Sequence, residues 1–225
     1  MKLFKCQHCG QLLYFENTHC ERCRSSLGFY PGTMELLTLE AVGDTTFTNL
    51  LQQGELYRYC ENARHAACNW LVKSEDNNPL CKACRLNKTV PDLTNPDHLS
   101  GWRKLESAKH RLVYTLLQLG LPVSPRMPGS GDGLAFDFLA DDGNQQRVIM
   151  GHAGGLITIN LAEADEVKRI STREELGEPY RTLLGHFRHE IGHYYWDRFI
   201  KDDERQLEPF RKLFGDERHD YGQAL

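Results

Sequence analysis

Eight cysteines crowd into the stretch from Cys6 to Cys84, and the 141 residues that follow contain none. Three neighbouring pairs share a two-residue spacer: Cys6 with Cys9, Cys20 with Cys23, and Cys81 with Cys84. That spacer lets one tight turn aim two thiolates at a single tetrahedral ion, which limits the first part of the chain to small metal-knit modules. The ten residues from Gly10 to His19 separate the first two pairs, enough for a short hairpin, so these four cysteines read as a zinc ribbon. Cys60 and Cys68, with Cys81 and Cys84, form a looser second set whose first half is a longer loop.

An even cysteine count also fits a disulfide framework, but the paired spacing and the missing signal peptide favour a reduced compartment and metal. No strand-then-helix pattern surrounds any pair, which argues against a redox motif. His8, His19 and His65 sit among the cysteines. Four thiolates already complete each shell, so these histidines are expected to be bystanders and both ions to be structural. A ribbon of about thirty residues buries too little apolar surface to fold alone. Metal removal is therefore expected to unfold the cysteine modules before the cysteine-free C-terminal half.

The net charge of −4 divides unevenly, from 14 Lys+Arg against 12 Asp+Glu in residues 1–119 to 13 against 19 in residues 120–225. Neither half has the basic face that a phosphate backbone requires, so nucleic acid is not an expected partner. The N-terminus lacks the apolar core of a signal peptide, and no segment reaches the roughly 18 apolar residues of a membrane helix. The expectation is a soluble, cytoplasmic protein with no membrane partner.

Three regions follow from this pattern, and together they predict an α+β fold. Residues 1–30 are the first zinc ribbon. Residues 31–95 hold connecting strands (31–57) and the second four-cysteine zinc module (58–90), and end at Asn95-Pro96. Residues 96–225 form the third region. Within it, Leu105, Leu112, Val113, Leu116 and Leu117 recur at helical spacing from Trp102 onward, until Gly120 and Pro122 stop the helix. Short strands are predicted at Leu134–Leu139, Arg147–Met150 and Leu156–Leu161, with a turn at Asp142-Gly143. Ser171 with Glu174 resembles a capping box, Pro179 suits the start of a helix running to Phe199, and a last helix ends near Gly215.

That helix carries His189-Glu190-Ile191-Gly192-His193. Four residues apart, the two imidazoles leave one helix face a turn apart, as two zinc ligands must. Glu190 lies beside them, placed to take a proton from a metal-activated water. His186 is a competing ligand, but His193 leaves the glutamate in the expected place. A tyrosine at 194 or 195 could steady an oxyanion. The simpler reading puts Phe187, Ile191, Tyr195 and Phe199 in the core. His110, His152 and His219 have no partner pattern and are taken as structural or surface residues.

The chain resembles the bacterial zinc-binding metallopeptidases that carry N-terminal zinc-ribbon modules. The resemblance rests on Tyr57 through Asn62, Cys68 through Val72, Cys81 through Asn87, His186 through Arg198, and Leu213 through Arg218. It implies a zincin-like domain in which His189 and His193 hold a catalytic zinc and Glu190 is the base. It also implies a further acidic, tryptophan-containing segment after the position of Leu225, so the 96–225 domain is expected to be C-terminally incomplete. Catalytic zinc takes three protein ligands, and the third is expected at Glu217, at Asp220 or beyond Leu225.

Two functions follow. One is a peptidase acting on peptide or protein substrates, with two structural zinc ions and one catalytic ion. The other is a zinc-ribbon adaptor that binds a protein partner and carries an inactive zincin remnant. For the peptidase, Leu156–Asn160 is the expected edge strand along which a substrate would lie, with Ile157 and Ile159 buried against the helix.

Overall fold

The computed structural model describes residues 2–127, 129, 132–141, 148, 150–166, 170 and 182–219. At the start, β1 (Phe4–Lys5) pairs antiparallel with β2 (Leu12–Leu13), Phe4 facing Leu13. Phe4 and Leu13 are buried while Lys5 and Leu12 are exposed, the alternation that a half-buried hairpin requires.

An antiparallel meander comes next: β3 (Ser26–Tyr30), β4 (Glu35–Ala41), β5 (Phe47–Asn49), β6 (Leu56–Tyr59) and β7 (Leu71–Lys73). The strands expected within 31–57 are its middle members. The sheet curls until its ends meet, with Phe29 N–H donating to the Asn69 carbonyl at 2.9 Å beside a Phe29–Trp70 bridge. Gly28 makes that closure possible, because a Cβ there would lie 2.5 Å from the Leu71 side chain.

Helix α1 (Pro96–Gln118) begins before the Trp102 start that periodicity suggests. Pro96 has the preset φ of a first helical residue, and the Asn95 side chain accepts from the Asp97 and His98 amides. One buried core runs from the ribbon through the meander to α1 and beyond. At its centre Phe29 lies 4.9 Å from Phe15, 4.7 Å from Trp70 and 5.6 Å from Tyr114, measured between ring centroids. The ribbon, the meander, the second cysteine module and α1 each supply one of these rings, so all four bury apolar area in common.

A four-stranded sheet follows, ordered β10-β11-β9-β8. Its strands are β8 (Asn87–Thr89), β9 (Ala135–Leu139), β10 (Gly151–Ala153) and β11 (Leu156–Asn160). β8 and β11 flank β9 in parallel, and β10 runs antiparallel to β11. After the expected Arg147–Met150 strand the structure has β10 at Gly151–Ala153, and Arg147, Ile149 and the Asp142-Gly143 turn lie outside the described residues. One expectation is corrected here. β11 is an internal strand rather than an edge, since β10 and β9 hold it on both sides. Its face reading holds, with Ile157 and Ile159 fully buried.

Helix α2 (Leu183–Phe199) packs on α1 and β10, and α3 (Glu204–Phe214) follows it and ends at Gly215. The Thr182 hydroxyl caps α2 by accepting from the Gly185 amide. Ser171, Glu174 and Pro179, read as earlier helix signals, lie outside the described residues. Phe136, Phe138 and Phe187 join the sheet to α2, with centroids 5.8 and 6.2 Å from Phe187. No described helix is long and apolar enough to cross a membrane.

Candidate metal centres

Two backbone turns assemble the first centre. The Gly10 amide donates to the Cys6 carbonyl at 2.9 Å and the Arg24 amide to the Cys20 carbonyl at 2.8 Å, which folds each pair into a knuckle. The sulfurs of Cys6 and Cys23 lie 3.6 Å apart, as do those of Cys9 and Cys20. A tetrahedral zinc with bonds of about 2.3 Å needs sulfurs about 3.8 Å apart, whereas a disulfide needs about 2.05 Å. All eight cysteines are free, and the first four converge as one potential ligand group. The hydroxyl and backbone amide of Ser25 hold the Cys23 thiol down at about 5. Thr38 ties this knuckle to β4, its Oγ1 accepting from the Gln7 amide at 3.0 Å and its amide donating to Gln7 Oε1 at 2.8 Å.

The second centre has the same count and deeper burial. Cys60, Cys68, Cys81 and Cys84 converge, with 3.7 Å between the sulfurs of Cys68 and Cys81. Amides donate to three of the sulfurs: Cys81 N–H to Cys60 and Trp70 N–H to Cys68, each at 3.3 Å, and Cys84 N–H to Cys81 at 3.4 Å. Hydrogen bonds from the other three thiols hold Cys60 far below the usual thiol range, and burial pushes Cys68 up. His8, His19 and His65 belong to neither group and have other partners: Ser25 Oγ at 3.3 Å, Glu21 Oε1 at 3.0 Å and Arg64 Nε at 3.0 Å.

Against the second centre α1 sets Glu106, Lys109 and His110, all buried. Lys109 Nζ donates to Glu106 Oε1 at 2.7 Å and to the Asn87 side-chain oxygen, and lies 5.5 Å above the Phe138 ring. His110 Nε2 approaches Cys68, Cys84 and Cys81 sulfurs at 3.3, 3.6 and 4.0 Å, while its Nδ1 donates to the Glu106 carbonyl at 2.6 Å. Burial pushes the imidazole pKa down, the Cys84 thiolate pushes it up, and the net direction is upward. Spacing among the cysteines gives no sign of this trio. The available signal is local: Glu106 and Lys109 fall inside the apolar stripe of α1, with His110 at its margin.

On α2, the Nε2 atoms of His189 and His193 lie 3.1 Å apart. Two nitrogens this close need a proton or a cation between them, and a tetrahedral zinc would set them about 3.3 Å apart. Both imidazoles are exposed, whereas Glu190 is buried beside them. His186 turns away to Glu163 at 3.0 Å. Among the described residues no third cysteine, histidine or carboxylate joins His189 and His193 in a ligand group. Glu217 is held by Arg211 Nε at 2.9 Å, and Asp220 lies outside the described residues.

His152, read from sequence as structural or surface, stands at this face. It reaches it from β10, its ring 6.3 Å from that of His193 and nearly parallel to it. Its Nε2 accepts from the Gly155 amide at 2.9 Å and its Nδ1 lies 3.9 Å from Asp197. Burial lowers its pKa. Gly155 adopts φ +83° in the β10–β11 turn, where a Cβ would run into the Gly133 carbonyl oxygen. Of the core expectations on α2, Phe187 and Ile191 hold, but Phe199 is 40% exposed and Tyr194 is buried instead. The Tyr195 hydroxyl donates to the Pro122 carbonyl at 2.9 Å, and Tyr194 accepts from Arg198 at 3.1 Å. Tyr195 thus anchors the loop after α1.

Residues 98–225 match the sequence profile of a family described as "Putative zinc-binding metallo-peptidase", and residues 3–95 match a zinc-ribbon domain. The chain belongs to this zinc-binding metallopeptidase family. It is α+β, with a zinc-ribbon region ahead of a peptidase-like domain. Uncharacterized proteins of Mycobacterium tuberculosis and Mycobacterium bovis are each 44% identical to it over all 225 residues. The chain spans 62% of the length of these relatives. No solved structure matches it significantly.

Proposed function

We propose that the chain is the core of a zinc-dependent peptidase, with two structural ions on the cysteine centres and one catalytic ion on His189 and His193. The observation that carries this reading is the 3.1 Å convergence of two ring nitrogens beside a buried Glu190. Bound zinc would supply Lewis acidity, bringing the pKa of water to about 7. Glu190 takes the proton from the attacking water and passes it to the leaving amide nitrogen. The peptide substrate lies along β10, which among the described residues pairs only with β11.

Glu190→Gln tests the base. Peptide hydrolysis is expected to fall by about a hundredfold or more with metal content unchanged. Undiminished hydrolysis would remove Glu190 from the mechanism. The strand placement has its own test: a bound peptide-like inhibitor making no main-chain hydrogen bonds to residues 151–153 would refute it.

One observation favours the adaptor reading, namely that no third ligand stands with the two histidines among the described residues. Metal analysis separates the two. Two tightly held zinc ions and no third point to an adaptor, and a third, exchangeable zinc with hydrolysis of a peptide library points to the enzyme. Neither reading needs nucleic acid or a membrane as partner.

A further inference from the structure

The second cysteine centre is the place where the ligand count and the geometry disagree. Four thiolates complete a zinc shell, yet a fifth donor atom points at the same ion site. His110 Nε2 lies 3.3 Å from Cys68 Sγ, 3.6 Å from Cys84 Sγ and 4.0 Å from Cys81 Sγ. A zinc bound by one imidazole nitrogen and thiolates, with bonds of about 2.0 and 2.3 Å, sets nitrogen and sulfur about 3.6 Å apart. The three measured distances bracket that value. Cys60 groups with the other three cysteines, and Cys84 also groups with Glu106 and His110. His110 Nε2 thus stands beside Cys60 as a second candidate for the fourth ligand to an ion on Cys68, Cys81 and Cys84.

The imidazole is also prepared as a ligand. Its Nδ1 is committed to the Glu106 carbonyl at 2.6 Å, which can only accept, so Nε2 is the atom left for the sulfurs. A metal-ligating histidine characteristically donates its other nitrogen in this way. There is an approach on the histidine side. A cavity of about 520 Å³ is lined by both Cys68 and His110, and the other three cysteines do not line it.

We propose that the second centre has five ligands, and that its ion can be held by Cys68, Cys81, Cys84 and His110 with Cys60 released. An ion entering through the cavity would meet Cys68 and His110 first. Cys60 would then replace His110 in the shell, its thiol giving up a proton as it binds. The reverse passage opens the centre without exposing an unliganded ion. This inference is independent of any activity at His189 and His193.

Cadmium NMR of the cadmium-loaded full chain, with nitrogen-labelled histidine, tests it because each centre gives its own resonance. Cys60→Ala is expected to keep the cadmium of the second centre, now with a scalar coupling to the His110 nitrogen. Adding His110→Ala should then release that cadmium while the first centre keeps its own. The proposal is overturned if Cys60→Ala alone loses the second cadmium with the first resonance and the Trp70 near-UV signal intact. It is equally overturned if the double variant still holds the ion. Should Cys60→Ala not fold, the exchange rate decides in the otherwise intact chain. Withdrawal of the second zinc by a chelator should slow by about tenfold or more in His110→Ala, the scale on which partners around a metal shift its binding. Unchanged or faster withdrawal would mean that His110 only supports the shell from outside.

Discussion

The two cysteine centres each gather four cysteines and differ in what surrounds them. The first has Cys9 and Cys23 half-buried, and its knuckle is tied to the meander through Gln7 and Thr38. The second lies beneath α1, in contact with a buried ion pair and an imidazole. The same set of four cysteines thus serves a local clasp in one place and a joint between two halves of the chain in the other. Ligand count alone gives the metal, and the surroundings give what the metal holds together.

The strongest way to break this contrast is to unpair the charges under the second centre. Lys109→Met removes the ammonium group paired with the buried Glu106 carboxylate, and unfolding in denaturant should show a loss of about 3–5 kcal/mol. A double change to Lys109→Met with Glu106→Leu should recover part of that loss. If the single variant is as stable as the unaltered chain, the network does not join the halves.

Cys84→Ser and Cys9→Ser compare the centres directly. Hydrogen exchange is expected to spread from Cys84→Ser into α1 and β9, through Glu106, His110 and Asn87, and from Cys9→Ser no further than residues 1–30. Equal spread from both would erase the distinction. On sequence alone, metal removal unfolds all cysteine modules ahead of the C-terminal half. The shared core and the α1 contacts change that expectation, so that the second centre and α1 should loosen together.

Gly28→Ala probes the closure of the meander that carries both centres. Its Cβ would press on Leu71, and a thermal melt should report about 1–3 kcal/mol of destabilisation.

The smallest effect is a pH slope. Asp76, in the loop beside the second centre, is held below the usual carboxylate range by the Arg85 guanidinium and by the Asn78 amide. A depressed carboxylate contributes stability in full above its unfolded pKa of about 4, and that contribution disappears as the pH falls through the folded value. Acid titration of Asp76→Asn should therefore show a flatter loss of stability below about pH 4 than the unaltered chain. An unchanged slope would show that Arg85 gains nothing from the charge.

These contrasts mark what the sequence makes legible. Cysteine spacing and the His189–His193 repeat are local, so turns and one helix suffice to assemble them, and both are readable without a fold. Glu106, Lys109 and His110 look like an ordinary polar run until α1 is laid on the second centre, because Asn87 and Cys84, which they meet there, lie 19 to 26 residues away. His152 becomes visible only once β10 is found beside α2, and that depends on strand order. The edge expectation for β11 failed for the same reason, since its β-branched run fits an internal strand as well as an edge. Phe199 shows the limit of periodicity, which gives its spacing along the helix but not where the neighbouring elements stop.

β8 belongs by sequence to the cysteine-rich half and by pairing to the other sheet, where it is the outer neighbour of β9. A growing chain delivers β8 first, α1 next and β9 only afterwards. Until β9 emerges, the N-terminal half must carry a strand with no sheet to join, beside Cys84 and the residues that will seal it. A fragment starting at Pro96 would have the converse defect, leaving the β9 edge open to another chain. The two halves are thus bound by the order of synthesis as well as by contact, and neither is a natural place to cut.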